Sequence, residues 1–189
     1  MSLDILKQSL LDAPIVKKGD YSYVIHPITD GVPEIKTELL NEVIEEMQKR
    51  IKKCGSFDKI VTVEAMGIPL ASTLSLKMNI PFVIIRKRSY KLDGEVKVEQ
   101  KTGYSKSNLY INGLKKGDKI IIVDDVLSTG GTLLAIISTL IKLGVIIKGI
   151  FIVVDKGDAA KKIKDKYKID IDILTNIEIV NEKVVIKKI

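Results

Sequence analysis

Residues 120–132 read I-I-I-V-D-D-V-L-S-T-G-G-T, and no other stretch restricts the fold as severely. Ile120, Ile121, Ile122 and Val123 are four β-branched residues in a row. A continuous apolar run of this kind suits a strand buried on both faces of a parallel sheet, where alternation is lost. Asp124 and Asp125 mark where the strand is expected to surface, and a hydroxyl- and glycine-rich turn follows them. Leu133 to Leu143 has the length and apolar content of a helix, and Gly144 suits the left-handed position just past its end. The order is strand, acidic pair, glycine loop, helix. In open α/β sheets ligands sit outside the carboxyl ends of such strands, and a helix N-terminus offers unpaired N–H groups to an anion.

The rest of the chain repeats this grammar. Leu3, Leu6 and Leu10 follow Ser2 at helical spacing, so a short opening helix capped by Ser2 is expected. Two short apolar pieces around Lys18-Gly19-Asp20 predict a hairpin, and residues 26–31, H-P-I-T-D-G, an irregular loop. An apolar stripe at 35, 39, 40, 43, 44, 47 and 51 predicts a long helix over 33–53. Lys59–Val63 is a strand leading through Glu64-Ala65-Met66-Gly67 into a helix, and Pro81–Ile85 is another strand, ending in Arg86-Lys87-Arg88. Residues 89–108 are polar and too long for a simple connection, which predicts a hairpin or lid. Strands follow at 109–111 and 146–154, a short basic helix at 159–167, and three strand-like pieces at 171–174, 177–180 and 184–186. Right-handed crossovers would carry the turns at 64–67, 86–88 and 124–132 to one edge of the sheet.

Composition narrows the class. A chain of 189 residues fits one α/β domain with small additions. The net charge of +7 favours anionic partners. The lysines at 161, 162, 164, 166 and 168 read as a solvated helix face, so no nucleic-acid surface is expected. One cysteine, Cys54, excludes an internal disulfide, and one histidine, His26, argues against a zinc centre built by the protein. Neither a signal peptide nor a run of about 20 apolar residues is present, so a cytoplasmic protein with no membrane partner is expected.

The central loop has a definite chemistry. Without side chains at 130 and 131 the backbone between Ser128 and Thr132 can curl its N–H groups toward one centre, while Thr129 and Thr132 add hydroxyls. Such a nest suits a terminal phosphate. Asp124 and Asp125 would repel that phosphate, so a neutral diol or a cation belongs between them. A ribose 5-phosphate meets both demands. No G-x-x-x-x-G-K-[ST] occurs, so a nucleoside triphosphate P-loop is not supported.

V-D-D-V-L-S-T-G-G-T resembles the phosphoribosyl pyrophosphate (PRPP) motif of the type I phosphoribosyltransferases, and the likeness extends over most of the chain from about residue 20. The resemblance implies a mainly parallel twisted sheet flanked by helices, in a single domain over 1–189, with 1–33 and 155–189 contributing a hood. It implies that Asp124 and Asp125 are catalytic and hold the ribose hydroxyls, and that Leu127, Ser128, Thr129, Gly130, Gly131 and Thr132 take the 5-phosphate. Glu64, Ala65, Met66 and Gly67 resemble the pyrophosphate loop, with Arg86 and Lys87 as further contacts. Lys156, in Asp155-Lys156-Gly157, and Thr29, in the hood, would meet the purine base. The implied cofactor is Mg²⁺ carried on PRPP rather than by a protein ligand set, and the implied assembly is a homodimer.

Within the family, the E-A-M-G-I-P turn and the long amphipathic helix resemble the archaeal hypoxanthine/guanine enzymes, relatives of the adenine phosphoribosyltransferases. Adenine and xanthine are the alternative bases. Ser128 stands where other hypoxanthine-guanine enzymes carry an acid, so the proton acceptor is left to another group, with Glu99 the candidate in the 89–108 segment. A non-catalytic PRPP-binding regulator is the alternative from a different class. It would need a DNA-binding extension, and about 13 residues before the first hairpin are too few for one.

Overall fold

A computed structural model describes residues 3–19, 21–98 and 108–187. In chain order the elements are α1 (Asp4–Leu11), β1 (Ile15–Lys18), β2 (Tyr21–Val24), α2 (Pro27–Asp30), α3 (Thr37–Ile51), β3 (Lys59–Val63), α4 (Gly67–Met78), β4 (Phe82–Ile85), β5 (Val96–Val98), β6 (Leu109–Ile111), β7 (Lys119–Leu127), α5 (Gly131–Leu143), β8 (Ile146–Asp155), α6 (Ala159–Tyr167), β9 (Ile171–Val180) and β10 (Lys183–Lys187). Among the described residues no helix is long and apolar enough to cross a membrane.

The main sheet runs β10-β9-β8-β7-β3-β4. Its four pairings from β9 to β4 are all parallel, and β10 closes the edge antiparallel to β9. Numbered among themselves, the parallel strands lie in the order 2-1-3-4-5, which reverses direction between β3 and β7. A crevice opens at such a reversal, outside the carboxyl ends of the strands.

The central strand is apolar throughout because both its faces are covered. Ile121 and Val123 pack with Val43, Met47 and Leu74 under α3 and α4, whereas Ile120 and Ile122 pack with Ile136, Leu140 and Ile163 under α5 and α6. Deleting a buried Ile side chain from either layer costs about 2–5 kcal/mol. The strand does not surface at the acids. β7 continues to Leu127 and carries both aspartates within it, because β8, one residue longer, pairs with it as far as Leu127 opposite Asp155.

Other differences from the sequence reading have local causes. Ser2 lies outside the described residues, and α1 is capped from a distance: Ile5 N and Leu6 N donate to Glu42 of α3 at 3.1 and 2.7 Å. The long helix begins only at Thr37, after a non-helical 33–36 segment that follows a cis Val32–Pro33 bond and ends in the extended Lys36. Residues 27–30 form a helical turn rather than an irregular loop. His26 is its N-cap and accepts from Ile28 N at 3.2 Å, while Asp30 Oδ2 accepts from His26 N at 3.0 Å. The two bonds form a reciprocal cap at the start of the turn. The pieces at 171–174 and 177–180 are one strand, β9, tied to α3 by Arg50, which reaches Asp172 at 2.7 Å and Ile173 O at 3.0 Å. β5, in the 89–108 segment, pairs antiparallel with β6, just beyond it, while residues 99–107, with Glu99, lie outside the described residues.

Candidate active site

At the reversal point the end of β7 leads through Ser128 and Thr129 into α5. Gly130 has φ +75°, and a Cβ there would lie 2.6 Å from the Ala159 Cβ of α6. Backbone conformation and packing both demand glycine. α5 begins at Gly131 with no side-chain cap, so its first-turn N–H groups keep their hydrogen-bonding capacity and the positive end of the helix dipole. A cavity of about 170 Å³ lies there, walled by Asp124, Val126 and the whole loop from Leu127 to Thr132. Backbone donors, hydroxyls and a helix terminus thus converge on a space suited to a small anion.

Asp124 borders this cavity, and Asp125, 7% exposed, is buried beside it. Asp125 N donates to Asp124 Oδ1 at 3.1 Å. Burial raises both carboxyl pKa values, and the Asp124 charge raises that of Asp125 further; the Lys156 ammonium opposes the shift at Asp125. Two adjacent, poorly solvated carboxylates resist ionising together until a donor or positive charge arrives between them.

The 64–67 turn lies against this pair. A Cβ on Gly67 would collide with Thr62 Oγ1 and stand 2.7 Å from Asp124 Oδ1, so glycine here lets the start of α4 reach the acidic strand. The Glu64–Ala65 peptide is cis. Glu64 Oε2 lies 2.6 Å from Arg86 Nε, off the N–H direction, so the contact is an ion pair without a hydrogen bond. Arg86 is also fixed through its backbone, which exchanges two hydrogen bonds with Tyr110. Its guanidinium stands 5.9 Å from the Tyr90 ring centre. Lys87 is exposed. The chain ends after β3, β4 and β7 therefore share one edge, as their sequence pattern predicts.

A second cavity, of about 590 Å³, opens between the β1–β2 hairpin, α2, the end of β7 and the β9–β10 hairpin. Its walls include Tyr23, Thr29, Asp30, Ser128, Lys156 and Ile177. Lys156 is held by its N–H donating to Leu127 O at 2.8 Å, and Gly157 packs over Ser128 O. Asp155 steadies the turn by accepting from Gly157 N at 3.1 Å. Val126 and Ser128 border both cavities, which makes the end of β7 a shared wall.

Thr29 and Lys156, far apart in sequence, meet in the larger cavity. His26 is fully buried behind them, its Nε2 is 2.9 Å from Ser9 Oγ, and burial lowers its pKa to about 4. It is a neutral, structural cap. Asp30 is a cavity residue that the sequence reading did not single out. Its signal was the position four residues after His26, where the reciprocal cap requires an acceptor.

The profile of the Phosphoribosyl transferase domain matches residues 32–185. The hypoxanthine/guanine phosphoribosyltransferase of Methanothermococcus okinawensis is 52% identical over 184 residues, 97% of this chain and 100% of that one. The protein of the same name from Methanocaldococcus jannaschii is 52% identical over 185 residues, 96% of this chain and 99% of that one. Among solved structures, the adenine phosphoribosyltransferase of Thermoanaerobacter pseudethanolicus superposes with a TM-score of 0.73 at 24% identity, covering 93% of this chain and 99% of that one. The Rhodothermus marinus adenine phosphoribosyltransferase gives 0.74 at 21% identity, covering 92% and 97%. At these identities the two structures speak for the fold, and the sequence relatives for the family. The chain belongs to the phosphoribosyltransferase family.

Proposed function

We propose that the protein is a purine-salvage enzyme that transfers the phosphoribosyl group of PRPP to hypoxanthine and guanine, giving IMP or GMP and pyrophosphate. The observation that carries this reading is the shared wall. A small anion-suited cavity and a larger, partly apolar one meet at Val126 and Ser128, with Asp124 and Asp125 alongside. A phosphorylated sugar in the first would present its C1 to a flat base in the second. The names of the archaeal relatives supply the base.

On this reading Leu127–Thr132 hold the 5-phosphate through backbone N–H groups and hydroxyls, and Asp124 and Asp125 accept from the ribose hydroxyls. Ala65, Met66 and Gly67 offer backbone to the diphosphate beside Arg86 and Lys87, while the Glu64 side chain orients Arg86. Thr29 and Lys156 meet the base, the lysine donating to its 6-oxo group. As C1 departs from the diphosphate the ribose gains positive charge. The aspartates favour that charge electrostatically, and the two cavities hold the reactants in line.

Among the described residues no cluster of three or more His, Cys, Asp or Glu could hold a metal ion. The carboxylates of Asp124, at the smaller cavity, and Asp125 are hard oxygen donors of the kind that suits Mg²⁺ bound chiefly through PRPP and water. Mg²⁺ would neutralise charge on the departing pyrophosphate. The reading includes one catalytic domain over 1–189, its hood drawn from 1–33 and 155–189, acting as a cytoplasmic homodimer. The larger cavity supports the hood assignment, because Ser22–Val24 and Ile177–Ile179 both line it.

The test is pyrophosphate release from PRPP with Mg²⁺ and a panel of hypoxanthine, guanine, xanthine, adenine and pyrimidine bases. Release with hypoxanthine and guanine is expected. Release with adenine alone overturns the base assignment, and release with none of them overturns the enzyme.

A further inference from the structure

The transfer has an unassigned proton. When the purine N9 lone pair attacks C1, the imidazole ring must shed the hydrogen that its N7 carries in the attacking tautomer. Ser128, at the shared wall, is too weak a base for this. Among the described residues the larger cavity is lined by two carboxylates, Asp30 and Glu178. Glu178 is taken by Lys187 at 2.8 Å. Among the described residues no cation forms an ion pair with Asp30. Its Oδ2 accepts from His26 N at 3.0 Å and from Thr29 Oγ1 at 2.5 Å, so one oxygen anchors the carboxylate at the cavity wall, and among the described residues Oδ1 has no hydrogen-bond partner.

Two further contacts locate Asp30 within that cavity. Its neighbour Gly31 lies against Met66, with a Cβ at Gly31 only 3.2 Å from Met66 Sδ. Met66 precedes Gly67, which touches Asp124. Asp30 is therefore on the side of the cavity that adjoins the acidic pair and the 64–67 turn, not on the distal side formed by β9. Buried His26 feels both Asp30 and Lys156, in opposite senses. An acceptor and a cationic donor thus border the same stretch of cavity, and a 6-oxopurine offers the complementary pair on one edge, N7–H beside O6.

We propose that Asp30 is the general base of the reaction, taking the N7 proton of the 6-oxopurine through Oδ1 as the bond to C1 forms. The inference rests on the function proposed above. The N9 lone pair makes the N9–C1 bond, and the C1–O bond to the diphosphate breaks with its electron pair leaving on pyrophosphate. The N7 proton passes to Asp30, which returns it to water after product leaves. The same residue then does two jobs with its two oxygens: one closes the α2 turn and the other meets substrate.

The double role dictates the experiment. Asp30→Asn keeps an acceptor for His26 N and Thr29 Oγ1 but replaces the basic oxygen. With hypoxanthine its kcat should fall by about 10²–10⁴, the usual worth of a positioned base, with KM for PRPP unchanged. With 8-azahypoxanthine, whose more acidic triazole ring is largely ionised without help, kcat should return to within about tenfold of the unsubstituted protein. Asp30→Glu, which keeps a carboxylate, should retain the hypoxanthine reaction better than Asp30→Asn and reports the role even if the turn loosens.

An Asp30→Asn kcat within about threefold of the unsubstituted protein overturns the proposal. So does an equal loss with hypoxanthine and 8-azahypoxanthine, which would mark a purely structural cap. A selective, 8-aza-rescued loss in Glu99→Gln but not in Asp30→Asn moves the base to Glu99 and overturns it too. If the unsubstituted protein releases no pyrophosphate with any base, the parent reading fails and this one falls with it. Normal release with an unaffected Asp30→Asn isolates the failure to Asp30.

Discussion

The two halves of the candidate site are built in opposite ways. The anion side is one uninterrupted stretch, Asp124 to Thr132, in which a strand buried on both faces runs directly into a helix. The base side is assembled from five places: the β1–β2 hairpin, α2, the end of β7, the turn at Lys156 and the β9–β10 hairpin. A cradle for phosphate can be made from backbone N–H groups, which any compact glycine turn supplies. Recognition of a particular base needs side chains from several directions, so it draws on parts of the chain remote from one another. The first half should therefore fail as a unit when altered, and the second should lose selectivity piece by piece.

The largest effect expected is at the acidic pair. Asp124→Ala with Asp125→Ala should lower kcat/KM by about 10³ or more, because an interaction made chiefly with the charged transition state is removed, while circular dichroism still reports a folded chain. A double variant with near-normal kcat/KM breaks the assignment of this half to the ribose.

On the base side, Lys156→Met should raise KM for hypoxanthine by about ten- to a hundredfold, the worth of one hydrogen bond from a charged donor. KM for PRPP should move much less. Equal changes in both would show that the two cavities do not divide the substrates, and would dissolve the comparison.

The contrast between the halves also explains what could be read without a structure. Gly130 and Gly131 directly after an apolar strand leave few conformations open, so the loop, its helix and its position at a sheet edge were visible in thirteen consecutive residues. Asp30 was not visible, since its meaning depends on a cavity closed by Ile177 and Lys156, about 130–150 positions later. The extent of β7 was misjudged for a related reason. Carboxylates usually end a strand, and here the length of β8 keeps the ladder going past them. Likewise the cap of α1 comes from Glu42, on another helix, where local pattern cannot find it.

A smaller effect separates glycines of the two regions. A Cβ added at Gly130 (φ +75°) would stand 2.6 Å from the Ala159 Cβ, whereas one at Gly19 (φ +63°), in the β1–β2 turn, would meet nothing within 4 Å. Both replacements by alanine cost about 1–2 kcal/mol for the left-handed backbone, but only Gly130→Ala must also push α6 away. Its Tm should fall by about 5 °C or more and that of Gly19→Ala by about half as much. Equal drops in Tm would mean that α6 yields freely and that the phosphate loop is less tightly backed than its packing indicates.

The smallest effect concerns pH, and it bears on why the anion side tolerates two buried acids at all. In the folded chain both carboxyl pKa values are raised, by burial first and by mutual repulsion at Asp125. The folded state therefore binds protons more tightly than the unfolded chain. The stabilisation from this tighter binding is complete below the ordinary carboxylate pKa of about 3.9, and is lost as pH rises through the raised values. Tm should decline over that window, and Asp124→Asn with Asp125→Asn should flatten the decline; parallel curves would show that the pair is solvated well enough to ionise freely. PRPP should restore Tm more at the alkaline end of the window than at the acid end, because hydroxyl donors between the carboxylates favour their ionised form. The protein would then hold in its free state an electrostatic cost that only its substrate relieves, and that relief grows further as the ribose becomes positive.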